Sequence, residues 1–95
     1  MKVEPQIQTG KLVVKILDHI TGVKEVNDIK SVIDSYDNIH SIELNIVDAF
    51  VMPSALIGYL VKLNGKDQKN IYIKANKDLK KLLIDLNLDQ VFVLG

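Results

Sequence analysis

The sequence predicts a single small α/β domain with a mostly parallel central sheet of four to five strands and helices packed on it. Its length of 95 residues suits one domain, which we place at residues 1–95. Its composition, 47% hydrophobic and 25% charged, is that of a globular chain with a sizeable core. Segments with strand-like and helix-like apolar spacing alternate in the order β-β-α-β-α-β-α-β. Such alternation predicts parallel strands joined by right-handed crossovers.

The first half of the chain is predicted to form a hairpin, a helix and a strand. Gln6–Gln8 and Lys11–Leu17 are strand-like, and the Thr9-Gly10 turn between them predicts a hairpin. Apolar residues recur at helical spacing from Val23 to Tyr36. Apolar and polar residues then alternate from Ser41 to Ile46, which indicates a strand.

The second half is predicted to contain two more helices, each followed by a strand. The helix from Pro53 to Leu63 begins at a proline, which suits the first helical turn, and is closed by Asn64-Gly65. Ile71–Ile73 is a strand, Asn76 caps the last helix, and Val91–Val93 is the final strand. The candidate core residues of the second and third helices are Leu56, Ile57, Leu60, Val61, Leu63, Leu79, Leu82, Leu83 and Leu86.

The composition excludes several classes of function. Without cysteine there is no disulfide, thiolate nucleophile or cysteine zinc site, which fits a reducing compartment and a cytoplasmic location. Every basic residue is lysine, so bidentate arginine clamps are excluded. A net charge of zero predicts no broad attraction to nucleic acid. No apolar run is long enough to span a membrane, and Met1–Pro5 is unlike a signal peptide.

No enzyme motif, metal site or cofactor site is predicted. The sequence contains no P-loop, Rossmann glycine pattern, catalytic triad or paired carboxylates at catalytic spacing. His19 and His40 lie in separate loops without a second ligand at metal spacing, so both are interpreted as solvated. The lysines of the last helix are interrupted by aspartates and have no aromatic neighbours, so they indicate a solvated face.

A lone hydroxyl, that of Ser54, stands where the second helix is predicted to begin. Free N–H groups and the helix dipole favour an anion at such a place, so a phosphate on Ser54 would be stabilised there. The alternative is that Ser54 forms an ordinary helix-start hydrogen bond. Asp48, in the preceding loop, is either a turn residue bonded to its own backbone or part of a partner surface.

The run Met52-Pro53-Ser54-Ala55-Leu56-Ile57-Gly58 resembles the central motif of the STAS family. That family comprises bacterial anti-sigma factor antagonists and the cytoplasmic domains of sulfate transporters. Its motif is roughly an apolar residue, then D-S-S/A-G/A-L, then a helix. Ser54 falls at the serine that is phosphorylated in antagonists, and Gly58 at a small residue on the partner-facing side of the helix. Val47-Asp48-Ala49 resembles the D-L/F-S stretch that leaves the central strand.

The sequence departs from the family pattern at three places. Pro53 replaces the acidic residue before the serine, and Leu56 replaces a glycine. The sequence stops at Leu94-Gly95, where most members add a final helix. Either the variant is trimmed or a partner covers the face concerned, and the uncovered edge is a candidate homodimer surface.

The resemblance implies a regulatory protein–protein interaction domain, not an enzyme. It would act in bacterial signal transduction and transcription regulation as an antagonist-like switch that docks on an anti-sigma factor or switch kinase. One alternative is a phosphorylation-independent subunit of a transport or signalling assembly, and another is a small-ligand or nucleotide binder. Tyr59 and Lys62 belong either to the partner contact or to the solvent face of the helix. The implied partner-binding residues are Asp48, Met52, Pro53, Ser54, Ala55, Gly58, Tyr59 and Lys62.

Overall fold

The computed structural model of the protein describes residues 2–20 and 22–95. In these residues the chain forms five strands, three α-helices and one short 3-10 turn. The strands are β1 Lys2–Gln8, β2 Lys11–Leu17, β3 Ser41–Ile46, β4 Asn70–Ala75 and β5 Val93–Leu94. The helices are α1 Val23–Asp34, α2 Ser54–Gly65 and α3 Lys77–Asp85, and the 3-10 turn Leu88–Gln90 precedes β5.

The strands form one sheet in the order β1-β2-β3-β4-β5. β1 is antiparallel to β2, whereas β2, β3, β4 and β5 are parallel to one another. The predicted α/β class and the mostly parallel sheet are therefore confirmed. Because each parallel strand lies beside the one before it, right-handed crossovers place α1, α2 and α3 on the same face of the sheet.

One apolar core lies between that face and the helices. Alternate residues of β2, β3 and β4 are buried there, as the alternation predicted. The strand contribution comes from Leu12, Val14, Ile16, Ile42, Leu44, Ile46, Ile71 and Ile73. The helices add Val26, Ile29, Ile33, Leu56, Leu60, Leu63, Leu79 and Leu83, and Phe92 is among the largest fully buried side chains.

Three candidate core residues of the helices are exposed instead, so their assignment was wrong. The apolar residue Val23, with which α1 begins, is also 75% exposed. On α3 the buried residues are Leu79 and Leu83, and this narrow stripe leaves Leu82 and Leu86 in solvent. Val61 likewise lies outside the buried stripe of α2. Apolar spacing overestimated the width of the buried face.

The first and last strands differ from their predicted bounds. β1 begins at Lys2 and includes Pro5, which is compatible with an edge strand because no neighbour needs its missing N–H. The last strand was expected at Val91–Val93, which was wrong, since β5 is Val93–Leu94. Phe92 lies between the 3-10 turn and β5 and is packed in the core. A short apolar run does not distinguish a strand from a buried turn.

The helix ends also differ in part. Asn76 caps α3 as predicted, because its Oδ1 accepts a hydrogen bond from the Leu79 N–H at 2.9 Å. Pro53, expected as the first helical residue, is the cap before α2, and Asn64-Gly65 lies inside that helix. The left-handed conformation after α2 is adopted by Gln68, with φ of 56°. The helix was therefore predicted to end two residues too early, at Leu63 in place of Gly65.

Tyr59 joins α2 to α1. Its hydroxyl donates to Asp34 Oδ1 at 2.5 Å, and Lys30 Nζ lies 5.3 Å from the centre of its ring. Burial is the main cause that raises the pKa of Tyr59 above its usual value of 10.0, and the Asp34 carboxylate raises it further.

The first prediction concerns Tyr59→Phe. Removing the hydrogen bond to Asp34 should lower the free energy of unfolding by about 1 kcal/mol at pH 7. The raised pKa means that the unfolded chain releases the Tyr59 proton first as the pH increases. The contribution of Tyr59 to the free energy of unfolding is therefore complete below pH 10 and is lost above it. The difference in the free energy of unfolding between the original protein and Tyr59→Phe should consequently decrease from pH 10 to pH 12. Urea denaturation across this range measures the gap.

The matched control for this prediction is Tyr36→Phe. Within the described residues the Tyr36 hydroxyl makes no hydrogen bond, so this variant should be about as stable as the original protein at pH 7. If Tyr59→Phe and the original protein lose stability in parallel above pH 10, the Tyr59–Asp34 link does not contribute as described.

Candidate docking surface at the carboxyl edge of the sheet

Three connections meet where the parallel strands end, at the carboxyl edge of the sheet. They are the residues after β2, the Val47–Pro53 loop between β3 and α2, and Asn76 between β4 and α3. In open α/β sheets this edge is the usual place for binding sites, because it collects loops from several strands. We use "carboxyl-edge surface" for the exposed side chains of Asp18, His19 and the Val47–Ser54 segment.

The Val47–Pro53 loop directs some apolar side chains inward and others outward. Ala49 and Met52 are buried in the core, with 1% and 6% exposure, and they anchor the loop. Phe50 and Val51 are 56% and 61% exposed, and Val47 is about half exposed. Two buried side chains therefore attach the loop to the core, while three apolar side chains of the same loop remain exposed to solvent.

Asn76 braces this loop from the neighbouring connection. Its Nδ2 donates to the carbonyl oxygen of Val47 at 3.1 Å and to that of Ala49 at 2.7 Å. Its Oδ1 accepts from the Leu79 N–H and so caps α3. If the Asn76 side-chain amide were rotated by 180°, its oxygen would face the two carbonyl oxygens, which cannot donate a hydrogen bond. The hydrogen bonds therefore determine the orientation of this amide. One side chain thus joins the start of α3 to the backbone of the exposed loop.

Asp48 links the loop to the residues that follow β2. Its Oδ2 accepts from the Asp18 N–H at 3.3 Å, while Asp18 Oδ1 accepts from the His19 N–H at 2.9 Å. Asp48 therefore bridges two loops, in place of the bond to its own backbone that was one of the two expectations. The ring of His19 lies 6.0 Å from that of Phe50, centre to centre.

Ser54 is the first residue of α2 and is exposed. One expectation for Ser54 was that its hydroxyl would form a hydrogen bond at the helix start. Within the described residues the Ser54 hydroxyl makes no hydrogen bond. The carbonyl oxygen of Pro53 accepts from the Leu56 and Ile57 N–H groups at 3.0 and 3.1 Å. The hydroxyl is therefore accessible from solvent beside the exposed loop.

Small and polar residues continue this surface along α2. Ser54, Gly58 and Lys62 are exposed and spaced by four residues, so they lie on one side of the helix, and Ala55 is exposed beside Ser54. A Cβ atom added at Gly58 would have no neighbour within 4 Å. A partner could therefore approach the backbone of α2 closely at Gly58.

The structure does not bring all the predicted partner-binding residues to this surface. Met52 is in the core and supports the loop from below, and Tyr59 is half buried between α1 and α2. The reasoning from sequence missed Phe50, Val51 and the loop-bracing role of Asn76. The signal for the first two was available, since Phe50-Val51 places two large apolar residues in a turn between a strand and a helix.

The two histidines lie at opposite ends of the strands. His19 is at the carboxyl edge, whereas the His40 backbone N–H donates to the Gly10 carbonyl oxygen at 2.9 Å, beside the turn between β1 and β2. Across residues 2–20 and 22–95, no three histidine, aspartate or glutamate side chains are grouped as metal ligands would be. In the same residues no helix has the length and apolar character needed to cross a membrane.

The sequence was compared with models of known protein families and with curated proteins, and neither comparison found a match.

The second prediction concerns Asn76, whose cap and brace can be separated by two substitutions. Asn76→Ser retains a cap acceptor but loses both donors to the loop, and should lower the free energy of unfolding by about 1 kcal/mol. Asn76→Ala loses the cap as well, for a total of about 2 kcal/mol. Urea denaturation measures both. A serine variant as stable as the original protein would show that the brace contributes nothing.

Proposed function

We propose that this protein is a regulatory protein-docking domain of the STAS type, similar to anti-sigma factor antagonists, and not an enzyme. In this proposal it docks on an anti-sigma factor or switch kinase through the carboxyl-edge surface and the exposed side of α2. One observation carries the proposal. Phe50 and Val51 project into solvent from a loop that is anchored in the core and braced by Asn76, and this loop leads to the exposed Ser54 at the start of α2.

The apolar loop is suited to provide the anchors of an interface. A buried aromatic ring contributes more to binding than most interface residues, and its contribution increases when a partner pocket excludes water. Because the loop is held by Ala49, Met52 and Asn76, docking would order few additional residues.

The position of Ser54 favours a switch controlled by phosphorylation. A phosphate would add about two negative charges at the end of the loop that carries the apolar anchors. In the free protein the dipole of α2 would stabilise this charge, whereas in a packed interface the charge would have to lose its water. Phosphorylation would therefore favour the dissociated state.

The alternative, a docking subunit that works without phosphorylation, is favoured by Pro53. This residue caps α2 at the place where the family pattern has an acidic residue. In this version the same surface binds a transport or signalling assembly permanently, and Ser54 is simply an exposed residue at the helix start.

The third prediction tests the apolar anchors. The double substitution Phe50→Ser with Val51→Ser should reduce capture of the native binding partner by at least about tenfold, because it removes two exposed anchors. Both side chains are more than half exposed, so the melting temperature should change little. Quantitative mass spectrometry of proteins that co-purify from native lysate measures capture. Ile84→Ser, exposed on α3, is the control, and equal losses in both variants would refute docking through this loop.

The fourth prediction tests the switch. Ser54→Asp should weaken capture of the same partner by about tenfold or more, whereas Ser54→Ala should leave it intact. An acidic residue in the first turn of α2 should raise the melting temperature slightly, so weaker binding could not be attributed to unfolding. Equal binding by both variants, together with an unmodified Ser54 in protein from native cells, would refute the switch and favour the docking subunit.

A further inference from the structure

The face of the sheet that points away from α1, α2 and α3 is not covered by the described part of the chain. We call it the open face. Its charged residues are Lys2, Glu4, Lys11, Lys15, Glu43 and Lys74, which alternate along their strands with core residues. Parallel sheets are usually covered on both faces, because their crossovers place helices there. Here strand order directs every crossover of the described residues to one side, so these residues supply no second layer.

The open face has a positive charge that the composition does not reveal. Four lysines face two glutamates, a net charge of +2, although the whole chain is neutral. The remaining surface therefore has a net charge of −2. Two copies of this face would repel each other, whereas an acidic partner would be attracted to it.

The centre of the open face is already ordered. The Glu43 side chain is only 11% exposed and contacts Lys11 Nζ at 3.0 Å and Lys74 Nζ at 3.6 Å. Lys11 also lies over the ring of Tyr72, with Nζ 5.3 Å from the ring centre. Fixing these long side chains before binding reduces the entropy that a partner would otherwise have to remove.

A groove of about 420 Å³ lies beside this centre, over β1, β2 and β3. It is lined by Glu4, Pro5, Gln6, Val13, Lys15 and Asn45. Lys15 is exposed and forms no ion pair within the described residues, so its charge is available to a bound group. The groove thus contains an apolar side chain, Val13, and a lysine without an ion pair, which lies opposite Glu4 across β1 and β2.

We propose that the open face binds an acidic amphipathic helix of a protein partner. The helix would form the second layer that a parallel sheet normally has, with its apolar side over Val13 and Tyr72. Its carboxylates would contact Lys15 and Lys74. This surface is distinct from the carboxyl-edge surface, so its occupation does not depend on Ser54.

The experiment is an NMR titration of the full chain, labelled with 15N, by a helical peptide of 18 residues with leucine on one side and glutamate on the other. A peptide with lysine in place of glutamate is the matched control. We expect the acidic peptide to shift the amides of Lys15, Asn45 and Lys74 but not those of Phe50 to Ser54. Binding should weaken with added salt, and the lysine peptide should not bind.

Two substitutions test the charges. Lys15→Glu should weaken binding of the acidic peptide by at least about fivefold. Lys15 has no ion pair to lose, and the new acid lies opposite Glu4 on β1, so the melting temperature should fall only slightly and the variant should remain folded. Lys74→Gln removes a second charge without placing an acid beside Glu43, and should weaken binding by about threefold. Lys81→Glu, exposed on α3, makes the same charge change as Lys15→Glu elsewhere and should have no effect.

Four results would overturn the proposal. They are no binding of the acidic peptide, binding that Lys15→Glu leaves unchanged, shifts confined to the carboxyl-edge surface, and a dimer formed through the open face in sedimentation experiments. Tighter binding of a 20-nucleotide poly-dT strand or of phosphatidylserine vesicles would assign the face to nucleic acid or membrane instead.

Discussion

Three successive right-handed crossovers between neighbouring parallel strands are the constraint on which the rest of this structure depends. Because β2, β3, β4 and β5 follow one another across the sheet, each crossover helix packs on the same face. The core then lies on that face alone, and the connections after β2, β3 and β4 meet at one edge. Both surfaces discussed above, the carboxyl-edge surface and the open face, follow from this strand order.

At the carboxyl edge, two large apolar side chains remain exposed to water although their loop packs on the core. Ala49 and Met52 occupy the inward positions of the loop, so that Phe50 and Val51 cannot also turn inward. Asn76 then supplies donors to the loop carbonyls of Val47 and Ala49, which otherwise would rely on water. The residues that hold the loop in place, Ala49, Met52 and Asn76, are thus different from the exposed residues Phe50 and Val51. The exposed pair can therefore contact a partner without a loss of loop stability.

Local pattern predicted the residues whose environment depends on local geometry. The strands β2, β3 and β4 were found because their buried residues recur at every second position, and the Asn76 cap because its bond to Leu79 spans only three residues. The bonds from Asn76 to the loop join residues 27 and 29 positions apart, and no local pattern could reveal them. The exposure of Leu82 and Leu86 was missed for the same reason, since helical spacing does not specify how wide a neighbouring surface is.

The neutrality of the sequence illustrates the limit of composition as a guide to binding. Zero net charge predicts no long-range attraction of the whole molecule. At an interface, however, only charges within about a Debye length of the partner contribute strongly, roughly 8 Å at physiological salt. On that scale a partner at the open face encounters an excess of lysine, and a partner at the carboxyl edge encounters Asp18 and Asp48 beside Phe50. The fold places four lysines and two glutamates on the open face and Asp18 and Asp48 at the carboxyl edge, so a neutral chain has two surfaces that would select different partners.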